Sequence, residues 1–197
     1  MSIGLITELE VVNDVLSTTG DSPVQSLDDG YQPVFIIKKM INNISRDMQS
    51  MNYWFNTEYG VTLDVNTESN TIVLPFNLLK FEPEDARYIN RGLTVYDRLA
   101  RTTTITAPIV ADISVMLEFN QLPQEARKFI QAKCKQQYNN EFLGDNSIKR
   151  DLAIDLQEAK INLDRTHIEN ENVNILDSSR SNSIAFANRR RGPAWQV

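Results

Sequence analysis

At 197 residues, with 41% apolar and 23% charged side chains, the chain has material for one hydrophobic core, or for a compact core with an appendage. No run approaches about eighteen apolar residues, and the N-terminus Met-Ser-Ile-Gly-Leu lacks a basic start, so neither a membrane span nor a signal peptide is expected. A single cysteine rules out an internal disulfide and suits a reducing cytoplasm, while a net charge of −6 argues against a generic phosphate-binding surface.

The chain opens on a helix. Thr7 and Glu10 have capping-box spacing, Ile6 and Val11 have the spacing of a hydrophobic staple, and Gly20 is the stop. Leu9, Val12, Val15 and Leu16 form its apolar face. After a loop with apolar Val24 and Leu27, a second helix begins at Pro33. Val34, Ile37, Ile41, Ile44 and Met48 line one side, Met40 and Met51 flank them, and Asn52 marks the end.

Between residues 54 and 119 the period changes to alternation. Val61, Leu63 and Val65 read as a half-buried strand, and residues 71–74 as a second before Pro75. Tyr88 and Ile89, then Asn90-Arg91-Gly92, then residues 93–96 predict a hairpin. Residues 102–106 and 113–119 complete an expected sheet of five or six short strands.

Residues 122–144 predict a helix of about six turns, from Pro123 to a C-terminal cap at Gly144. Ala126, Ile130, Cys134, Tyr138 and Phe142 recur every four residues, with Phe129 beside them, and Arg127, Gln131, Lys135 and Asn139 form the polar row. Asp145, Asn146 and Ser147 are N-cap candidates for a last helix reaching about Asn172. It has two stripes. Ile148, Leu152, Leu156, Ala159 and Leu163 make one, and Ile154, Ile161 and Ile168 another on nearly the opposite side. One face inside the subunit and one against a neighbouring subunit is the reading adopted; burial of the whole helix within its own domain is the alternative.

From Val173 onward, Asp177 stands against Arg180, Arg189, Arg190 and Arg191, a net of +3, which leaves −9 on residues 1–172. This Asn/Ser-rich stretch reads as an extended tail. Large apolar Ile184, Phe186 and Trp195 beside Arg189, Arg190 and Arg191 have the composition of docking anchors.

The sequence holds no Gly-rich nucleotide loop, no zinc-protease motif and no nucleophile elbow. No catalytic residue, metal ligand or cofactor is assigned. His167 reads as a solvated or helix-flanking histidine and Cys134 as a small buried hydrophobe. Glu82, Glu84 and Asp85 around Pro83 are the carboxylates a glycan-cleaving enzyme would need, but a polar turn accounts for them. The C-terminal arginines alternatively suit a DNA-binding module or an acidic protein surface.

Several blocks carry a resemblance. They are Val12-Asn13-Asp14-Val15-Leu16 with Gly20 and Ser22-Pro23-Val24; Glu58-Tyr59-Gly60-Val61-Thr62-Leu63; Tyr88-Ile89-Asn90-Arg91-Gly92 with Val95-Tyr96-Asp97-Arg98; and Leu122-Pro123 leading to Gln137-Tyr138-Asn139-Asn140-Glu141-Phe142-Leu143-Gly144. In this order and spacing the chain resembles the tail tubular protein A family of short-tailed podovirus phages, head-to-tail adaptors of the tail-tube gatekeeper type. The match extends from the first helix to Gly144; the tail does not resemble the family.

The resemblance implies a structural, non-enzymatic virion protein, made in the host cytoplasm and placed at the head–tail junction. It implies an α+β fold: an antiparallel bundle of about four helices (residues 1–52 and 120–172) with an inserted β-rich subdomain (53–119); the extended docking tail (173–197) is expected from its own composition. The family forms a dodecameric ring that binds the portal protein above and a nozzle like tail tubular protein B below. It helps seat tail fibres and passes DNA through its lumen without specific binding. The expected inter-subunit residues are Ile154, Ile161, Ile168, Arg127, Lys128 and Lys135; the expected tail anchors are Ile184, Phe186, Arg189, Arg190, Arg191 and Trp195.

Overall fold

The computed structural model describes residues 4–28 and 30–171, so every residue of the expected docking tail, from Val173 to Val197, lies outside the described residues. Among the described residues, four helices and five short antiparallel strands give a mixed α+β architecture.

Helix α1 (Glu8–Thr19) starts where its capping box predicts. Glu10 N donates to Thr7 Oγ1 (3.2 Å) and Thr7 N donates to Glu10 Oε2 (2.7 Å), which satisfies two amides of the first turn. Val11, Val12, Val15 and Leu16 are buried. Helix α2 (Gln32–Gln49) carries Pro33 in its first turn and buries the expected stripe together with Met40. Met51 does not join it; beyond the helix end its side chain is largely exposed.

Helix α3 (Gln124–Tyr138) is shorter than its sequence span, because Asn139–Leu143 loosen into a π-turn before Gly144. That widening rotates Phe142 away from the stripe, and the ring sits in solvent against Tyr138. Pro123 is the N-cap residue rather than part of the first turn. Gly144 has φ +64, a conformation that disfavours a side chain, and its N–H caps the Asn139 carbonyl at 2.7 Å. Helix α4 (Asn146–Glu171) follows at once.

Helix α3 contacts all three other helices. The helical core gathers buried residues of α1, α2 and α3 with Tyr53, Phe119, Leu122 and Leu163.

The strands form two sheets rather than the single one expected. In the first, β5 (Ile109–Val115) lies between β1 (Thr57–Leu63) and β2 (Leu78–Pro83), all antiparallel. The second is the predicted hairpin, β3 (Tyr88–Arg91) and β4 (Thr94–Asp97), which turns through Gly92 (φ +61) and Leu93. Residues 71–74 and 102–106 are not strands. They touch neighbours through the single bridges Asn66↔Thr71, Val73↔Thr94 and Asp97↔Thr102. Their apolar residues Ile72, Leu74 and Ile105 nevertheless join Tyr88, Val95 and Ile109 in a second core.

A buried polar splice connects helix α2 to the central strand. Gln49, fully buried, donates from Nε2 to the Leu117 carbonyl (3.0 Å) and accepts from Leu117 N (2.8 Å). Asn56 Nδ2 donates to the carbonyls of Gln49 (2.8 Å) and Val115 (3.0 Å). Amides that satisfy backbone groups in this way hold two layers in one register, since any slip leaves buried partners unpaired.

Candidate assembly surfaces

Helix α4 carries apolar side chains on two opposed faces, and only one of them packs within the chain. Its start is set by Asp145, whose Oδ1 accepts from the N and Oγ of Ser147, both at 2.7 Å; these bonds hold the carboxyl below its usual range. One stripe lies on α3: Leu152 and Leu163 are buried, while Ile148, Leu156 and Ala159 are half-buried. On the opposite side Ile154, Ile161 and Ile168 are 46%, 56% and 58% exposed, so this chain alone leaves three large aliphatic side chains in water. Beside them a shallow groove of about 350 Å³ runs between α3 and α4, lined by Phe129, Lys133, Leu156 and Ile161.

The far half of α4 is clamped to the segment that leaves α2. Tyr53 is buried; its hydroxyl donates to Asp164 Oδ1 (3.2 Å) and accepts from Lys160 Nζ (3.1 Å), and Lys160 also pairs with Asp164. Burial pushes the Tyr53 hydroxyl above its usual value of 10.0, with the Lys160 contact acting the other way. For Lys160 burial acts downward, yet its hydrogen bonds to Asp164 and Tyr53 outweigh it and hold the ammonium above the usual 10.5. His167 stacks on Trp54 (centroids 6.0 Å apart) and meets Tyr53 edge-on at 5.2 Å. It is therefore a packed aromatic partner rather than a solvated histidine. Tyr59 donates to Glu171 Oε1 at 3.0 Å, adding a contact near the end of the helix.

The basic row expected on α3 is not one surface. Arg127 is only 4% exposed; Nε donates to the Leu122 carbonyl (2.8 Å), Nη1 to that of Ile6 (2.8 Å) and Nη2 to that of Asn120 (2.6 Å). The guanidinium also covers the Phe119 ring. Three of its five donors serve the chain's own turns, so the side chain expected at an inter-subunit contact is turned inward. Asn139, from the same row, is buried as well and donates to the Asp145 carbonyl. Lys135 is half-buried and pairs with Asp14 at 3.4 Å, while Lys128 is exposed.

Cys134 sits in the helical core with its thiol pushed up to about 12 by burial, so at neutral pH it stays protonated and poorly nucleophilic. Glu82 pairs with Lys80 (2.8 Å) and Asp85 with Arg87 (3.1 Å). These carboxylates and Glu84 lie on the open surface and line neither the α3–α4 groove nor the larger one described next. Among the described residues no group of three or more His, Cys, Asp or Glu is placed to hold a metal ion, and no helix is long and apolar enough to cross a membrane. Ile184, Phe186, Arg189, Arg190, Arg191 and Trp195 lie outside the described residues.

A larger groove of about 610 Å³ opens between α2 and the segments flanking the first sheet. Ile41, Leu78, Leu117 and Phe119 supply its apolar lining; Glu8, Glu118, Lys38 and Arg46 supply charge. The sequence offered no signal for it, because its walls come from four separated segments.

Two comparisons bear on these surfaces. A family model described as Tail tubular protein matches residues 9–173. Tail tubular protein A of Klebsiella phage KP34 is similar, at 24% identity over 193 residues, 96% of this chain and 99% of that protein. Likeness to the family thus runs on through α4, past the Gly144 limit drawn from the short sequence blocks.

Proposed function

Because the chain belongs to the tail tubular protein family and is a structural component of a phage tail, we propose that it is the ring-forming adaptor between portal and tail nozzle. The observation that carries this reading is α4, with one apolar stripe buried on α3 and the opposite one, Ile154, Ile161 and Ile168, exposed. A spacing of seven residues keeps such a stripe nearly in line along a helix, as a helix–helix seam requires. In this reading the isoleucine seam closes a homo-oligomeric ring, dodecameric as the resemblance implies, with Lys128 at its edge.

The helices (residues 1–52 and 120–172) are the ring-forming part, and the inserted β-rich part (53–119) faces nozzle and fibres. The tail (173–197) docks on an adjacent component through Ile184, Phe186, Trp195 and the arginines Arg189, Arg190 and Arg191. DNA passes through the centre unbound, because a body carrying −9 repels phosphates. The role is mechanical and uses no cofactor.

The test is particle size, by light scattering, with and without purified portal. The adaptor reading expects a ring-sized species that Ile161→Asp abolishes without unfolding the subunit. A monomer that ignores the portal overturns it. Deleting residues 173–197 is expected to leave a folded protein that no longer joins portal-containing heads; normal joining would remove the docking role of the tail.

A further inference from the structure

Strand β1 is an edge. Among the described residues it pairs with β5 alone, so the backbone groups on its other side have no strand beside them. A bulge between Glu58 and Val61 interrupts it. Beyond the bulge Val61 and Leu63 are half-buried, on the face they share with Ala111 and Ile109 of β5. Natural edges are often blunted with lysine or proline, and β1 has neither. Its charge is of one sign. Glu58 and Asp64 are exposed, and Asp112 Oδ1 accepts from Gly60 N at 2.7 Å. No Lys or Arg occurs at 51–79 or 102–126, the stretches that hold β1 and β5. Helix α4 ends beside this edge, where Tyr59 donates to Glu171, and in its last turns Arg165 already faces Glu169 at 3.9 Å.

We propose that the outer edge of β1 is covered by the chain's own residues 183–187, Ser-Ile-Ala-Phe-Ala, added as a further strand. These residues lie outside the described part, and their sequence matches the edge in pattern, charge and reach. Ile184 and Phe186 alternate with alanines, as a strand with one apolar face requires, and that face would continue the half-buried Val61 and Leu63. Arg189, Arg190 and Arg191 follow closely, and arginine forks suit the carboxylates that flank β1. The twelve residues from Glu171 to Ser183 span on the order of 40 Å when extended, against about 23 Å for a seven-residue strand. A segment tethered beside its site acts at an effective concentration on the order of millimolar, which favours its own edge over that of a second copy. The contact goes beyond the ring reading and does not rest on it. In the lone subunit the tail caps β1, and it reaches an adjacent component only by leaving that edge. Edge and anchors thus stay covered until assembly.

The experiment is residue-resolved amide hydrogen exchange on the full chain. The amides of β1 that face away from β5 are expected to exchange slowly at every subunit concentration. Ala185→Pro with Phe186→Asp should speed them at least tenfold while those of α3 stay unchanged. Arg189→Glu, Arg190→Glu and Arg191→Glu together should speed them as well, and adding Glu58→Lys with Asp64→Lys should restore protection. Outward amides that exchange at unprotected rates in the unaltered chain, or that ignore both tail variants, overturn the contact. So does protection that vanishes on dilution, which would assign the edge to the tail of a second copy. None of these outcomes bears on ring formation, which particle size reads separately.

Discussion

Helices α3 and α4 are joined by one turn and packed on each other, yet they relate to the rest of the chain in opposite ways. Over 15 residues α3 buries six side chains: Ala126, Arg127, Ile130, Ala132, Cys134 and Tyr138. Over 26 residues α4 buries two, Leu152 and Leu163. The difference lies in neighbours. Three helices surround α3, whereas α4 has α3 on one side and the Tyr53–Trp54 clamp along part of its length. A helix far longer than its own packing uses leaves surface over, and its outer isoleucines contribute little to the fold of this chain.

Substitutions sharpen that contrast. The largest effect is expected at Ile130, which is fully buried: Ile130→Ala should cost about 3 kcal/mol in urea unfolding. Arg127→Ala comes next, at roughly 2 kcal/mol, because it leaves the carbonyls of Leu122, Ile6 and Asn120 without their donors. Arg127→Lys should recover little of this, since one ammonium cannot reach three carbonyls in a fork. Gly144→Ala should cost about 1 kcal/mol. No atom lies within 4 Å of the added methyl, so the cost there is backbone strain alone.

A smaller effect is expected at Asp97, and it depends on pH. Hydrogen bonds from Ala100 N, then Leu99 N and the nearby Arg87, hold its carboxyl below the ordinary 3.8, against the effect of burial. The unfolded chain therefore takes up this proton first as pH falls. The contribution is complete above the unfolded value and is lost as pH drops through the folded one. Asp97→Asn should flatten the acid limb of a urea-midpoint profile between about pH 5 and about pH 2. The smallest change in stability is expected at Ile161→Ala, within roughly 0.5 kcal/mol, because the side chain is already in water. A loss as large as that at Ile130 would break the contrast between the two helices.

Much of the helical part is legible from residues in their order. Thr7 with Glu10, Pro33, Asp145 and Gly144 mark helix ends by chemistry that acts within one turn, and the buried stripes follow from a 3.6-residue period. The hairpin was legible for the same reason, since residues 88–97 turn on a glycine. Strand β2 was not. Leu78-Leu79-Lys80-Phe81-Glu82-Pro83 has no clean alternation, and its partner β5 begins more than twenty residues later. Residues 71–74 and 102–106 have strand-like composition, and their apolar side chains do enter a core, but single bridges replace ladders around it.

At the candidate surfaces the division is similar. The opposed stripes of α4 could be read from spacing alone, because a helix converts sequence distance into angle without help from other elements. Arg127 could not. Its place on the polar row suggested solvent, and only the convergence of Ile6, Asn120 and Leu122 carbonyls turns it inward. Gln49, Asn56 and His167 are alike in this respect, each made structural by a partner far away in sequence. Sequence alone determined where helices lie, to within about a turn, and which faces are apolar, since those depend on contacts within a turn or two. Tertiary structure decided which polar groups are used up inside the fold and which apolar ones remain exposed, since that depends on what happens to lie opposite.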